Sequence, residues 1–320
     1  MLTNMTDFDN LIPSIENRIA EKYGEAPRRP EHLAVSVTEQ RVGRLSDSIP
    51  ERTLNFSLEY PKAIGHITAY SMLPENTEAP ILVAIGASSA LSELPIPTRE
   101  LLRRGFGILY IPAESVSSLK GALRQSADRA ILPSRRAKYT AGKMSLYAFA
   151  LTLAREYLSK LGYTRLYAFG HGPTAEAALL AAARDKGFSL VIADSPYLTE
   201  RSSPFLPEDF YSLAYLTERE GRSVNLFEAI YPRPVILGLY ELSVPDERDL
   251  ILGMLAEAYS VDKRECEELL SGERPQIFRH GCEILAVTDT LTLTPEVALR
   301  YLDGVEDCLS LGSVKECATV

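Results

Sequence analysis

Six short apolar runs, each about the length of one strand, constrain this chain more than any other feature. They are Pro80–Ile85 (PILVAI), Phe106–Ile111 (FGILYI), Arg165–Phe169 (RLYAF), Phe188–Ala193 (FSLVIA), Pro234–Leu239 (PVILGL) and Glu283–Val287 (EILAV). A strand that is apolar throughout has no face to offer water. Both of its faces must be covered, which is the condition of a parallel sheet. Helical stretches over Pro97–Arg104, Ala141–Leu161 and Pro173–Lys186 lie between the runs, and a last one covers Pro295–Leu309. Strand–helix alternation of this kind predicts an α/β fold with a mostly parallel central sheet and helices on both faces.

The chain before Pro80 has a different rhythm. Asp7–Tyr23 reads as an amphipathic helix with Phe8, Leu11, Ile12, Ile15 and Ile19 on one face, ended by the Pro/Arg segment Ala26–Pro30. Leu33–Thr38, Thr53–Tyr60 and Gly65–Leu73 read as strands, the last two in hairpin relation around Pro61-Lys62. They form an antiparallel N-terminal extension, and the whole predicts a mixed sheet of about eight strands. Pro196–Ile230 has no strand signal and lies between two core strands, so it is expected to be a cap over the carboxyl ends of the strands. The expected organisation is an N-terminal helix and linker over 1–32, then one domain over 33–320 with the cap at about 196–230.

Composition excludes several classes. With 320 residues, 46% of them hydrophobic and 24% charged, the chain can bury a large core. A net charge of -9, with no basic cluster longer than Arg135-Arg136, argues against general nucleic-acid binding. The Arg135-Arg136-Lys138 run is expected to be a solvated face, with docking of an anion as the alternative. No apolar run reaches the roughly 20 residues of a membrane span, and no signal peptide is visible, so a cytoplasmic location is expected. Cys266, Cys282, Cys308 and Cys317 form no CxxC pair and have no histidine at ligand spacing. Free thiols, no metal and no cofactor are therefore expected.

The segment Arg165–Ala182 (RLYAFGHGPTAEAALLAA) carries the chemistry. An apolar strand runs into Gly170-His171-Gly172-Pro173-Thr174 and then into an alanine-rich helix, which is the context of the nucleophile elbow G-x-S-x-G. The turn needs small residues two before and two after the nucleophile. Gly170 meets the first demand and Thr174 meets the second poorly. Two further segments are Ala229-Ile230-Tyr231-Pro232-Arg233-Pro234-Val235, and Leu293-Thr294-Pro295-Glu296 with Arg300-Tyr301-Leu302-Asp303. They resemble the entry to the seventh strand and the start of the last helix in bacterial acetyl xylan esterase-like and glucuronoyl esterase-like hydrolases. The resemblance covers roughly Ile64 to Leu309 and implies the α/β-hydrolase fold, with a Ser nucleophile, an acid after the seventh strand and a His after the eighth.

The chain departs from that implied triad at each place. Gly172 stands at the nucleophile position. The acid position falls near Ser243, with Glu241 and then Asp246 as the nearest carboxylates. The histidine loop reads Thr288-Asp289-Thr290-Leu291-Thr292, so Asp289 marks a vestigial site, and His280 precedes its strand at the wrong end. Pro173 has no N–H and so cannot supply the oxyanion donor expected from the residue after the nucleophile. Thr174 is no substitute nucleophile, because Glu176 would then occupy a turn position that must be small.

Several residues keep two readings. His171 is either a ligand-contacting imidazole or a packed side chain. Asp194 is either a displaced triad acid or, with Ser195, a cap for the segment opening at Pro196. Glu114 and Ser115 lie either at the site edge or in solvated loop. Gly86-Ala87-Ser88-Ser89 is either the loop that supplies the second oxyanion N–H or a plain turn. The expected function is a catalytically degenerate hydrolase that binds a small molecule, or a partner protein, in the old cleft through Gly86, Ala87, His171, Gly172 and Pro173. The alternative is a carboxylic-ester hydrolase of carbohydrate or acetyl esterase type with an unorthodox site.

Overall fold

The computed structural model describes residues 15–41, 45–60, 63–93, 98–116, 141–194, 196, 210–212, 224–238, 245–260, 262, 264, 276–280 and 283–288. A helix over 15–23, α1, is followed by strands β1 (His32–Arg41), β2 (Glu51–Tyr60), β3 (Ala63–Met72) and β4 (Ile81–Gly86). Then come α2 (Thr98–Arg103), β5 (Gly107–Pro112), α3 (Lys143–Lys160), β6 (Leu166–His171), α4 (Pro173–Arg184) and β7 (Leu190–Asp194). The remainder is α5 (Leu226–Ile230), β8 (Val235–Gly238), α6 (Pro245–Tyr259), β9 (Gln276–His280) and β10 (Glu283–Thr288).

All ten strands join one sheet in the order β1-β2-β3-β5-β4-β6-β7-β8-β10-β9. The pairs from β5 through β4, β6, β7 and β8 to β10 are parallel. The first three strands and β9 are antiparallel to their neighbours. This is the α/β-hydrolase architecture, a mostly parallel sheet with an antiparallel start. The expected count of about eight strands is corrected upward. β9, with charged Arg279 beside only two apolar residues, has no apolar run to reveal it. The helix α6 also escaped the sequence pattern, although Pro245 opens it and Asp246 and Glu247 follow in its first turn.

Alternate residues of the central strands face opposite ways, as strand geometry requires. Ile81, Val83, Ile85, Leu109, Ile111, Ala168, Val191, Ala193, Val235 and Leu237 pack with α1, α3, α4, α5 and α6 in one core cluster. Leu82, Ala84, Ile108, Tyr110, Tyr167, Phe169, Ile192 and Ile236 face the other way, onto Leu101 and Leu102 of α2. The parallel core is thus covered on both sides.

The helix α4 is buried on every side from Thr174 to Ala182. It packs against α3, α5, β4, β6 and β7, and α1 reaches it from a further side. Such a helix has to be narrow, and its alanines allow that close approach. Glu176, in its first turn, is fully buried. An isolated buried carboxylate would cost several kcal/mol (about the effective penalty per ion), and three donors offset that cost. Lys22 Nζ donates to Glu176 Oε1 at 2.9 Å, Tyr23 OH to the same oxygen at 2.7 Å, and Tyr211 OH to Oε2 at 2.9 Å. The Lys22 ammonium also lies 4.9 Å and 5.4 Å from the Tyr23 and Tyr211 ring centroids. Ile15, Ile19 and Tyr23 of α1 are buried in the same cluster. Phe8, Leu11, Ile12, the final helix Pro295–Leu309, the four cysteines and most of the cap lie outside the described residues.

Candidate functional site

The sheet order reverses at β4, with β5 on one side and β6 on the other. In open α/β sheets the crevice for ligands forms at such a point, outside the carboxyl ends of the strands. The residues there fall on one line. His171 of β6 pairs with Asp194 of β7, Asp194 with Gly238 of β8, and Gly238 with Thr288 of β10.

Between β6 and α4 the chain turns on Gly172 alone. Its φ of 57° and ψ of -129° lie in a region that side-chain-bearing residues rarely enter. No described atom beyond its chain neighbours lies within 4 Å of where a Cβ would stand. Pro173 follows as the first residue of the helix. The Gly172 N–H donates to the Asp194 carbonyl at 2.8 Å, which ties the turn to β7. Close approach of strand and helix falls on Gly170, where a Cβ would lie 2.1 Å from the Thr174 carbonyl oxygen.

Thr174 fits better than its size suggested. It is buried, and its Oγ1 lies 3.0 Å from the Ile85 carbonyl and 2.8 Å from the His171 carbonyl while accepting from the His171 N–H at 3.1 Å. The hydroxyl replaces lost smallness with bonds that join β4, β6 and the turn.

Asp194 meets the histidine of the neighbouring strand. Its side chain is 1% exposed, and Oδ2 accepts from His171 Nδ1 at 2.7 Å. An ionised carboxylate can only accept, so against it Nδ1 is the donor. A Cβ on Gly238 would stand 2.3 Å from Asp194 Oδ1, so the bare glycine makes room for the carboxylate. His171 keeps 34% of its side chain exposed. The pairing escaped sequence analysis because it depends on register: each residue is the first side chain beyond an apolar run that can ionise, on neighbouring parallel strands.

Gly86 ends β4 and is buried, with the Tyr110 hydroxyl 3.2 Å from its would-be Cβ. Tyr110 OH donates to the Ser88 carbonyl at 2.5 Å, while Ala87 is exposed. Glu114 is exposed, and the Ser115 Oγ accepts from the Thr68 N–H of β3 at 2.6 Å. His280 pairs with Glu283 at the start of β10, away from the carboxyl ends. Glu241, Ser243, Asp289 and Ser195 lie outside the described residues, as do Arg135, Arg136 and Lys138, and Asp246 lies in the first turn of α6. Among the described residues no group of His, Cys, Asp and Glu could hold a metal, and no helix is long and apolar enough to cross a membrane.

Away from this line, a cavity of about 470 Å³ is lined by Leu45, Ser46, Asp47, Ser48, Arg99, Leu102 and Arg103, beside α2. Behind the turn, Arg233 closes the far end of α4. Its guanidinium donates to the carbonyls of Ala182, Asp185, Phe188, Ala229 and Ile230 at 2.6–3.2 Å. Burial lowers the Arg233 pKa, and burial lowers that of Arg184 to about 10, which leaves Arg184 charged at neutral pH.

No family model and no curated protein matches this sequence. Solved structures do match it in fold. The glucuronoyl esterase from Solibacter usitatus superposes with a TM-score of 0.71 at 15% identity, covering 96% of this chain and 94% of that one. A CE15 glucuronoyl esterase from Teredinibacter turnerae T7901 gives 0.70 at 14% identity, covering 96% and 86%. A glucuronoyl esterase mutant from Sporotrichum thermophile, in complex with methyl 4-O-methyl-beta-D-glucopyranuronate, gives 0.54 at 14%, covering 81% and 74%. The chain has the α/β-hydrolase fold, and glucuronoyl esterases are among its structural neighbours.

Proposed function

We propose that this chain is a catalytically degenerate member of the α/β-hydrolase fold that binds a small molecule at the carboxyl ends of its strands. The observation that carries this is Gly172. A strand, one strained residue and a helix in that order support the reading as a nucleophile elbow, and the strained residue has no side chain. Acyl transfer through this fold needs a nucleophile activated by a base, and an oxyanion hole. Gly172 removes the first. The sequence after β10 carries Asp289 and no histidine, which removes the usual base. Pro173 removes an oxyanion donor worth about 3 kcal/mol. His171 and Gly86 remain at the strand ends, where this architecture binds ligands.

Two measurements test this on the full chain. A fluorophosphonate probe should leave no covalent adduct on any serine at the strand ends, as judged by peptide mass spectrometry. A thermal-shift screen should include methyl glucuronate, the kind of compound that the structural neighbours suggest. It should find at least one ligand that raises the melting temperature, since a ligand at 100 times its Kd adds about 2.7 kcal/mol.

Ester hydrolysis is the second reading, supported by neighbours that are themselves esterases. Turnover of p-nitrophenyl acetate that survives re-purification, together with specific serine labelling, would establish it and overturn the first.

A further inference from the structure

We infer, on the premise of the ligand site proposed above, that His171 and Asp194 form a proton-accepting pair whose ligands are hydroxyl donors. Three features of the geometry favour this over a purely structural bond. The carboxylate is buried while the imidazole it orients keeps 34% of its side chain exposed, so the pair faces outward through the histidine. Space for the carboxylate is provided by a bare glycine at the paired position of β8, where even a methyl group would collide with it. The residue after the imidazole is Gly172, which adds no side chain of its own to the crevice mouth. An imidazole whose Nδ1–H is held by a carboxylate presents Nε2 as an acceptor and stabilises the imidazolium that forms if a proton arrives. The matching ligand group is an O–H, of a sugar, an alcohol or water. The step is one reversible transfer: the O–H bond breaks, the N–H bond forms on Nε2, and the oxygen keeps the electron pair.

The test needs neither a known ligand nor a serine probe, so it fails separately from the proposed function. Diethyl pyrocarbonate is applied to the intact protein at neutral pH. The Nε2 lone pair attacks one of its carbonyl carbons and expels ethyl carbonate, which decays to carbon dioxide and ethanol. Peptide mass spectrometry then follows each of the four histidines. His171 should be modified, and Asp194→Asn should slow it at least about tenfold, because an amide favours the opposite tautomer. Rates at His66 serve as the internal control. Should Asp194→Asn not fold, long-range proton–nitrogen NMR of the unaltered protein decides alone: Nδ1 of His171 should carry the proton and Nε2 should not. Failure to modify His171, a rate unchanged by Asp194→Asn, or an Nε2–H tautomer would each overturn the assignment.

Discussion

Restoring serine at Gly172 should lower stability and still give no serine hydrolase. The stability loss follows from the backbone. At φ 57° and ψ -129° a side-chain-bearing residue costs about 1–3 kcal/mol relative to glycine. Because no described atom beyond the chain neighbours approaches the new Cβ within 4 Å, strain is the dominant cost. For a chain of 320 residues each kcal/mol moves the melting temperature by about 1.5 °C, so Gly172→Ser should melt roughly 1.5–4.5 °C lower. Labelling should stay at background because Pro173 still withholds the oxyanion N–H, a loss of about 3 kcal/mol or more than a hundredfold in rate. Gly172→Ser with Pro173→Ala isolates that donor: if labelling appears only in the double variant, the missing N–H is the cause. The assays are a calorimetric melt and fluorophosphonate labelling read by mass spectrometry of the 165–184 peptide. Strong labelling in the single variant would refute the account of the oxyanion hole, and an unchanged melt would refute the strain.

Three further outcomes follow from the packing around α4. Lys22→Met should cost about 3–5 kcal/mol in urea denaturation, since it leaves Glu176 buried without its cation, and adding Glu176→Leu should recover most of the loss. Gly170→Ala should lose about 1–3 kcal/mol or fail to fold, because its Cβ would meet backbone rather than a movable side chain. Arg233→Lys should destabilise by about 1–3 kcal/mol in the same assay, as one ammonium cannot serve five carbonyls.

What could be read from the sequence follows from where each constraint resides. The strands β4 to β8 were legible because burial on both faces makes almost every residue apolar, a property of the segment alone, and β10 was legible from its run Ile284–Val287. β9 was not, since its position beside β10 does not demand a continuous apolar run. The helix α4 was legible as a helix from its alanines, but its total burial was not. That depends on α1, which lies about 150 residues earlier and supplies Lys22 to Glu176. The Gly170–Thr174 turn was legible in outline, yet Thr174 looked too large because its hydrogen bonds to Ile85 and His171 are invisible in one dimension. The His171–Asp194 contact needed the register of two strands separated by a helix.

On the proposed reading, these contacts let the turn persist without a nucleophile. Packing and chemistry act on different atoms of the same five residues. The Thr174 carbonyl leaves no room for a side chain at Gly170, Thr174 is held by Ile85, and the Gly172 amide by the Asp194 carbonyl. None of these contacts involves a side chain at position 172. Selection for the fold alone would therefore preserve the turn while leaving that side chain and the Pro173 amide unconstrained. The same reasoning does not cover His171. Its imidazole is partly exposed and contributes little to the core, yet it is oriented by a buried carboxylate that needs a bare glycine beside it. Burying an ionised group is costly, and a fold with no use for the imidazole could place an apolar residue at 194 and a side chain at 238. The pair is the part of this site that packing does not require, which is why the histidine, rather than Gly172, is where chemistry should be sought.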